Sequence, residues 1–269
     1  MRIFTDQMDR TIALNSWPPR RIISLVPSQT ELLADLGLED EVVGITKFCI
    51  HPAAWFQQKK RVGGTKTVSL EKVAALAPDL IIGNKEENER AQIEALAARY
   101  PVWMSDIYNL QDALDMIGRV GELTGKPEAA KDLADKIGRG FDALQMPFAG
   151  ITPLKVAYLI WRKPYMVAGS DTFIDGMLRA AGFHNVFGQK GRYPEISLEE
   201  LAARQPEAIF LSSEPFPFAE KHFGPVREVC PAARIMIVDG EMFSWYGSRL
   251  QYAPAYFRQL RETLGLAAT

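Results

Sequence analysis

Short runs of aliphatic residues alternate with amphipathic stretches along this chain of 269 residues. Runs such as 42–45, 80–82 and 156–160 have the length and composition of buried strands in a parallel sheet. The stretches between them carry apolar residues at helical spacing. Strands that alternate with helices are typical of a parallel sheet with helical crossovers, so the pattern predicts an α/β protein.

One helix–strand unit occurs twice. The sequence of residues 69–82, SLEKVAALAPDLII, returns at residues 197–210 as SLEELAARQPEAIF. In both copies a serine is placed to cap a helix, and Pro78 or Pro206 ends that helix before an apolar strand. In the second copy Glu200 stands at the third helical position and predicts a capping box.

Weaker echoes of the repeat flank this unit. An apolar strand at 21–28 leads into a helix at 30–36 that Gly37 ends, and residues 166–170 lead into a helix at 173–181 that Gly182 ends. Apolar strands at 102–106 and 235–239 each end in an aspartate. We therefore predict two Rossmann-like lobes, at residues 1–126 and 147–269, each a parallel sheet flanked by helices.

Residues 127–146 predict one long helix between the lobes. It begins with Pro127 and early acids, and its apolar residues recur on one face. Eighteen helical residues reach about 27 Å, enough to join two lobes and to permit only a modest hinge. Gly138 and Gly140 count against the helix, at about 1 kcal/mol each relative to alanine.

A ligand is expected at the carboxyl ends of the parallel strands, where the loops of the two lobes face each other. Those loops are rich in aromatic residues, which suit a large, flat, partly apolar ligand unless about half of them pack the lobe edges. The aromatic candidates are Phe48, Trp161, Tyr165, Tyr193, Phe216, Phe243, Trp245 and Tyr246. Cationic candidates for anionic groups of the ligand are Lys47, Lys66, Lys85, Arg162, Arg192 and Arg249.

His51 has two interpretations, a metal or axial ligand and a hydrogen-bonded loop residue. The three histidines are scattered and lack the spacing of a zinc cluster. Cys49 and Cys230 are expected to be unpaired thiols.

Composition and motifs exclude several classes of protein. A net charge of −2 argues against a nucleic-acid binder, and no apolar run is long enough to span a membrane. The first 20 residues lack the apolar core of a signal peptide, so we expect either a cytoplasmic protein or a start site upstream. No nucleophile elbow, phosphate loop or zinc-protease motif is present, and we expect no enzymatic activity.

Glu71 and Glu199 occupy the same position in the two copies of the repeat. Acids in the first turn of a helix offset its dipole by about 0.3–1 kcal/mol, which explains each one separately. A duplicated acid on a pseudo-symmetric body also suits docking to a two-fold membrane partner.

Residues 21–33, RIISLVPSQTELL, together with residues 69–82, resemble the periplasmic receptors of cobalamin and ferric-siderophore ABC importers, most of all the cobalamin-binding branch. The likeness extends from about residue 20 to 264. It implies two α/β lobes on a rigid backbone helix, a ligand between them and no intrinsic cofactor. It also implies that Glu71 and Glu199 dock onto arginines of the permease transmembrane subunits.

The resemblance also bears on the ligand. By the resemblance, Tyr193 matches an aromatic contact of the cobalamin receptors and Phe48 lies in an aromatic-bearing loop, whereas Thr65 and Asn84 replace expected aromatic contacts. The positions peculiar to this branch are Lys47, Trp161, Arg162, Trp245 and Tyr246. We therefore expect a monomeric receptor that delivers a corrinoid to its permease from outside the membrane. The alternatives are a ferric-siderophore or haem receptor, and a cytoplasmic corrinoid-binding or sensing protein.

Overall fold

The computed structural model describes residues 1–145 and 152–266, so the predicted lobe boundary at 146/147 lies outside the described residues. The chain divides into two compact units. Unit 1 comprises Met1–Ile107, Gln111–Lys136 and Tyr246–Arg249, and unit 2 comprises Tyr108–Leu110, Ile137–Trp245 and Leu250–Thr269. The predicted division at 126 and 146 stays a prediction.

The first half of the chain forms seven strands and six helices within the described residues. The strands are β1 (Arg2–Thr5), β2 (Thr11–Leu14), β3 (Ile22–Ser24), β4 (Val42–Ile45), β5 (Lys60–Arg61), β6 (Leu80–Asn84) and β7 (Val102–Ser105). The helices are α1 (Pro27–Asp35), α2 (Ala53–Gln58), α3 (Leu70–Leu76), α4 (Arg90–Ala97), α5 (Leu110–Thr124) and α6 (Pro127–Gln145).

Unit 1 is built on a five-stranded sheet in the order β5-β4-β3-β6-β7, with every pair parallel. Its central strands are fully buried on both faces, as expected where helices cover a parallel sheet. The helix predicted between the lobes is present as α6. Its residues up to Lys136 belong to unit 1 and those from Ile137 to unit 2.

The second half forms six strands and five helices within the described residues. The strands are β8 (Leu154–Trp161), β9 (Tyr165–Val167), β10 (Phe183–Asn185), β11 (Glu195–Ile196), β12 (Ala208–Ser212) and β13 (Arg234–Val238). The helices are α7 (Phe173–Ala180), α8 (Leu198–Ala203), α9 (Phe223–Val229), α10 (Glu241–Ser244) and α11 (Ala253–Thr263), with 3-10 turns at Glu220–His222 and Ser248–Gln251.

The sheet of unit 2 has the order β11-β9-β8-β12-β13, and β10 also pairs with β8. Strands β8, β10, β12 and β13 pair in parallel, whereas β9 is antiparallel to both of its neighbours. The predicted α/β class is therefore confirmed, with an antiparallel edge that the periodicity did not indicate.

The sequence repeat is a structural repeat. Ser69 accepts from the backbone N–H of Lys72 at the start of α3, and Ser197 accepts from that of Glu200 at the start of α8. Each helix is followed by a residue in the left-handed region, Ala77 or Gln205, directly before the proline. The Glu200 carboxylate of the predicted capping box lies 2.5 Å from Lys190 Nζ.

The N-terminal residues form a hairpin of β1 and β2, which the sequence pattern did not predict. Its turn covers the edge strand β7: the backbone N–H of Gln7 donates to Met104 O, and that of Met104 donates to Asp6 Oδ2. Asp6 has no exposed surface and also accepts from Met8 N and from Arg10. The hairpin is thereby part of unit 1 and blunts a sheet edge.

We expect Asp6→Asn to lower the free energy of unfolding by about 2 kcal/mol. The amide loses the ion pair with Arg10, and its NH2 group would face the N–H groups that now donate to the carboxylate. Urea denaturation and hydrogen exchange in β7 measure the loss. Asp9→Asn, at an exposed position with positive φ in the same turn, is the control and should be neutral. Equal stability of the two variants would contradict the role of Asp6.

Candidate ligand-binding site

The loops at the carboxyl edge of the unit 1 sheet follow β4, β5, β6 and β7. After β4, Phe48 is 50% exposed, and Lys47 Nζ lies 5.0 Å from the centre of its ring. The ring packs over Gly64 in the loop after β5, where an added Cβ would lie 3.2 Å from Phe48 Cε2. Lys47 and Phe48 are therefore brought together at this edge as an exposed cation–aromatic pair.

Two predicted contacts, Thr65 and Asn84, are buried in a polar layer below these loops. Asn84 donates to Ser105 Oγ over 2.9 Å, and its Oδ1 accepts from the backbone N–H groups of Glu86 and Glu87. The carbonyl of Thr65 accepts from Asn88. Both residues shape the loops, and neither presents the exposed surface that a ligand contact requires.

Lysines of these loops are held by oxygen atoms of unit 1. Lys85 Nζ lies 2.6 Å from Asp106 Oδ2, and Lys66 Nζ donates to the carbonyl of Glu86. Cations that already have such partners offer less to an anionic ligand.

His51 lies in the loop after β4 and is partly buried. Among residues 1–145 and 152–266, no three His, Cys, Asp or Glu side chains come together as a metal-binding group. Cys49 and Cys230 are free thiols, as predicted. Burial raises the pKa of Cys49.

The carboxyl edge of the unit 2 sheet presents an aromatic cluster. Trp161, at the end of β8, is 38% exposed and meets Phe216 edge-on with ring centres 5.7 Å apart. Phe216 in turn packs on Phe218 and His222, at 4.8 and 5.3 Å. This aromatic shelf, defined as Trp161, Phe216, Phe218 and His222, joins the loops after β8 and β12.

Two groups beside the aromatic shelf are polar. Arg162 Nε is buried and has no hydrogen-bond partner among the described residues. His222 accepts the backbone N–H of Ala219 at Nδ1, and burial, followed by the charges of Arg162 and Lys221, lowers its pKa. The ring therefore stays neutral at pH 7, and the arginine supplies the positive charge of this surface.

Tyr165 and Tyr193 lie on the antiparallel edge of unit 2. Tyr165 is in β9 and packs partly against the hydrophobic core. Tyr193 lies next to Arg192, and the guanidinium carbon of Arg192 is 5.6 Å from the centre of the tyrosine ring. The same guanidinium donates to the carbonyl of Asp171. The backbone N–H of Gly169, just after β9, donates to Arg192 O and thereby holds the loop of Tyr193 against the end of β9.

The remaining aromatic candidates are buried. Phe243 has no exposed surface and packs on Tyr158 and Phe257 with ring centres 5.0 and 4.7 Å away, so it is a core residue of unit 2. Trp245 is 7% exposed and donates from Nε1 to Glu214. Tyr246 is 6% exposed and belongs to unit 1.

Two acids at these edges were not singled out from the sequence. Burial, with the charges of Glu241 and Asp239, raises the pKa of Glu214, although Ser244 and Trp245 donate to it. Glu31, on α1, forms a two-bond ion pair with Arg249. Glu31 is the one acid of the motif at 21–33, and this was the available signal for it. Glu214 had none, because its partners are distant in sequence.

The two repeated acids are exposed at equivalent positions. Glu71 and Glu199 are the second residues of α3 and α8. The Ser197 hydroxyl and the backbone N–H of Glu199 lower the pKa of the Glu199 carboxyl, so it stays ionised at neutral pH.

Two α/β units with loops of this kind at the carboxyl edges of their sheets define a two-unit solute-binding protein. A sequence model of the periplasmic binding protein family matches residues 22–224. The chain belongs to that family, whose members bind solutes and are not enzymes. No helix within the described residues combines the length and apolar character needed to cross a bilayer.

Named relatives are similar over most of the chain. A vitamin B12-binding protein of Vibrio vulnificus (strain CMCP6) is 26% identical over 204 residues, 75% of this chain and 74% of that protein. The crystal structure of the periplasmic vitamin B12 binding protein BtuF of Vibrio cholerae superposes with a TM-score of 0.81 and 22% identity, over 92% of this chain and 98% of that one. A periplasmic heme binding protein from Pseudomonas aeruginosa gives a TM-score of 0.77 and 23% identity, over 93% and 94%.

Proposed function

We propose that this chain is the substrate-binding protein of an ABC importer and that its ligand is a corrinoid. The observation that carries the proposal is the presence of exposed aromatic rings at the carboxyl edges of both sheets, next to an edge of unit 1 where Lys85 and Arg249 already pair with carboxylates. The vitamin B12-binding relatives support the same choice of ligand. The predicted position of the ligand between the lobes stays a prediction.

The exposed rings suit a large macrocycle. Phe48 in unit 1 and Trp161 in unit 2 are each more than a third exposed, and both lie at the carboxyl edge of a parallel sheet, where α/β proteins bind ligands. Aromatic faces and edges pack well against a flat, partly apolar ring system. The guanidinium of Arg162, which is partly buried beside the aromatic shelf, is the candidate donor of unit 2 for a carbonyl or phosphate oxygen of the ligand.

Two of the candidate cations, both in unit 1, already pair with carboxylates, and this favours a corrinoid over haem or a ferric siderophore. The corrin ring carries amides around its edge, whereas haem carries carboxylates and catecholate siderophores carry several negative charges. Lys85 and Arg249 are each engaged by a carboxylate of unit 1. Amides need hydrogen-bond partners but no counter-charge, so they lose less at such an edge.

For transport we propose that Glu71 and Glu199 dock onto basic residues of the permease and that the chain works as a monomer outside the membrane. Both acids are exposed at the starts of matching helices. The periplasmic location of the family supports this placement.

Calorimetric titration tests the ligand. We expect cyanocobalamin to bind with micromolar or better affinity and Trp161→Ala to weaken binding by about tenfold, because central aromatic contacts carry much of a binding energy. Trp17→Ala is the matched control: Trp17 is 39% exposed but bonds to carbonyls at the end of α5, so its loss should leave affinity unchanged.

The same titration compares dicyanocobinamide, haemin and a ferric catecholate. Tighter binding of haemin or of the catecholate than of either corrinoid would assign the alternative ligand. No heat with any of the four would reject the receptor function. Equal loss in the Trp161 and Trp17 variants would remove the aromatic shelf from the site.

A further inference from the structure

Arg249 and Glu31 form a bidentate ion pair, in which two nitrogens of the guanidinium donate to the two oxygens of the carboxylate. Arg249 Nη2 lies 2.6 Å from Glu31 Oε1, and Arg249 Nε lies 2.9 Å from Glu31 Oε2. The two side chains are only 14% and 15% exposed. Both carboxylate oxygens of Glu31 are therefore engaged, in the geometry that Arg uses to bind carboxylates in general.

The pair lies at the first turns of α1, which begins at Pro27 just after the carboxyl end of β3. The segment that carries Arg249 rests on this turn: a Cβ added to Gly247 would lie 2.3 Å from Ser28 O. Parallel sheets bind ligands at this edge. Arg249 was predicted from the sequence to meet anionic groups of the ligand, and the structure places a carboxylate of the protein on it.

This arrangement changes what the arginine can recognise. A ligand carboxylate that sought the same fork would have to displace Glu31, which would leave a partly buried carboxylate without its partner and add a second negative charge beside it. Removing one partner from a partly buried charged pair is costly. A ligand amide is uncharged and does not compete with Glu31 for the guanidinium of Arg249. Specificity often depends on a repulsive element against the wrong ligand as much as on attraction to the right one.

We propose that Glu31 is a specificity-determining residue: by occupying Arg249 it makes the first turn of α1 reject carboxylate substituents on a macrocyclic ligand and accept amides. The proposal rests on the proposed corrinoid function and deepens it. Glu31 acts through Arg249 and is a positioning residue in that sense.

The test compares two ligands that differ by one group. Cyanocobalamin and its monocarboxylic acids, in which one peripheral propionamide is hydrolysed to a carboxylate, are titrated against the full chain. The wild type should prefer the amide. Glu31→Gln should improve the affinity for at least one monocarboxylic acid relative to cyanocobalamin by about tenfold, because the arginine then gains a charged partner from the ligand.

A second variant identifies the arginine as the agent. In Glu31→Gln/Arg249→Gln the gain for the carboxylate should vanish, since no cation is left to receive it. Glu41→Gln is the matched control, because Glu41 pairs with Arg20 over 3.6 Å just before β4, at the amino edge of the sheet. It removes the same charge and should leave the ratio of affinities unchanged.

The failures are distinguishable. If the wild type binds no corrinoid, the proposed function fails. The specificity-determining role of Glu31 is overturned by either of two results. In the first, the wild type binds cyanocobalamin but Glu31→Gln leaves the ratio of the two affinities unchanged. In the second, the gain for the carboxylate persists in the double variant. A loss of affinity for both ligands by the same factor in Glu31→Gln would show a purely structural role and would also overturn it.

Discussion

Exchange of Glu71 and Glu199 for arginine should abolish import while leaving the affinity for ligand unchanged. The two acids are exposed as the second residues of α3 and α8, and neither is among the residues expected to contact the ligand. Two reversed charges would face basic residues of the permease with repulsion instead of attraction. Charge reversal at an interface acts on association and costs several kcal/mol when like charges are juxtaposed.

The measurement pairs uptake into proteoliposomes or cells that contain the permease with calorimetry of the soluble chain. The control reverses two other exposed glutamates, Glu122→Arg on α5 and Glu228→Arg on α9, one in each unit. Uptake should persist in the control. Loss of ligand affinity in the Glu71 and Glu199 variant would indicate a structural role of these acids in place of docking, as would normal uptake.

Gly169→Ala should destabilise unit 2 by about 4 kcal/mol, the upper range for a single substitution. An added Cβ would lie 1.9 Å from Lys190 O and 3.1 Å from Arg192 O, which are backbone atoms and cannot move aside cheaply. Three backbone hydrogen bonds link residues 169 and 170 to 190 and 192, at 2.7–2.8 Å. Forcing these segments apart breaks that ladder and displaces the loop of Tyr193, so ligand affinity should fall as well.

Urea denaturation measures the change, with hydrogen exchange at Ser170 and Arg192 as the local readout. Gly138→Ala is the matched control, because among the described residues no atom beyond the adjoining backbone of α6 itself lies within 4 Å of its added Cβ. That variant should be more stable than the wild type by about 1 kcal/mol through helix propensity. If both glycine variants are stabilised, the close approach at Gly169 does not hold the loop.

The helices and strands that depend on neighbouring residues could be predicted from the sequence. The repeated serine, proline and aliphatic residues predicted α3 with β6 and α8 with β12, and both copies follow the same path down to the left-handed residue before the proline. The long helix at 127–145 was also predicted, despite its two glycines. These features depend on caps, turns and periodicity within a few residues, which the sequence states directly.

Two parts of the fold could not be predicted from local sequence patterns. The hairpin β1–β2 has strands of four residues without a strong apolar pattern, and its place on β7 depends on Asp6 meeting Met104, which lies far along the chain. The antiparallel strands β9 and β11 are three and two residues long. Such short edges gain their stability from neighbours that only the folded chain supplies.

For the candidate site, the sequence by itself determined which residue types stand at the carboxyl edges of the strands, because strand ends and loop composition are local properties. It supplied the aromatic residues, the lysines and arginines and the two repeated acids. Tertiary structure decided what each can do. Phe243 is core, Phe48 and Trp161 are exposed, and Arg249 meets a carboxylate 218 residues away. Exposure and charge pairing depend on distances through space, and the order of residues along the chain does not contain those distances.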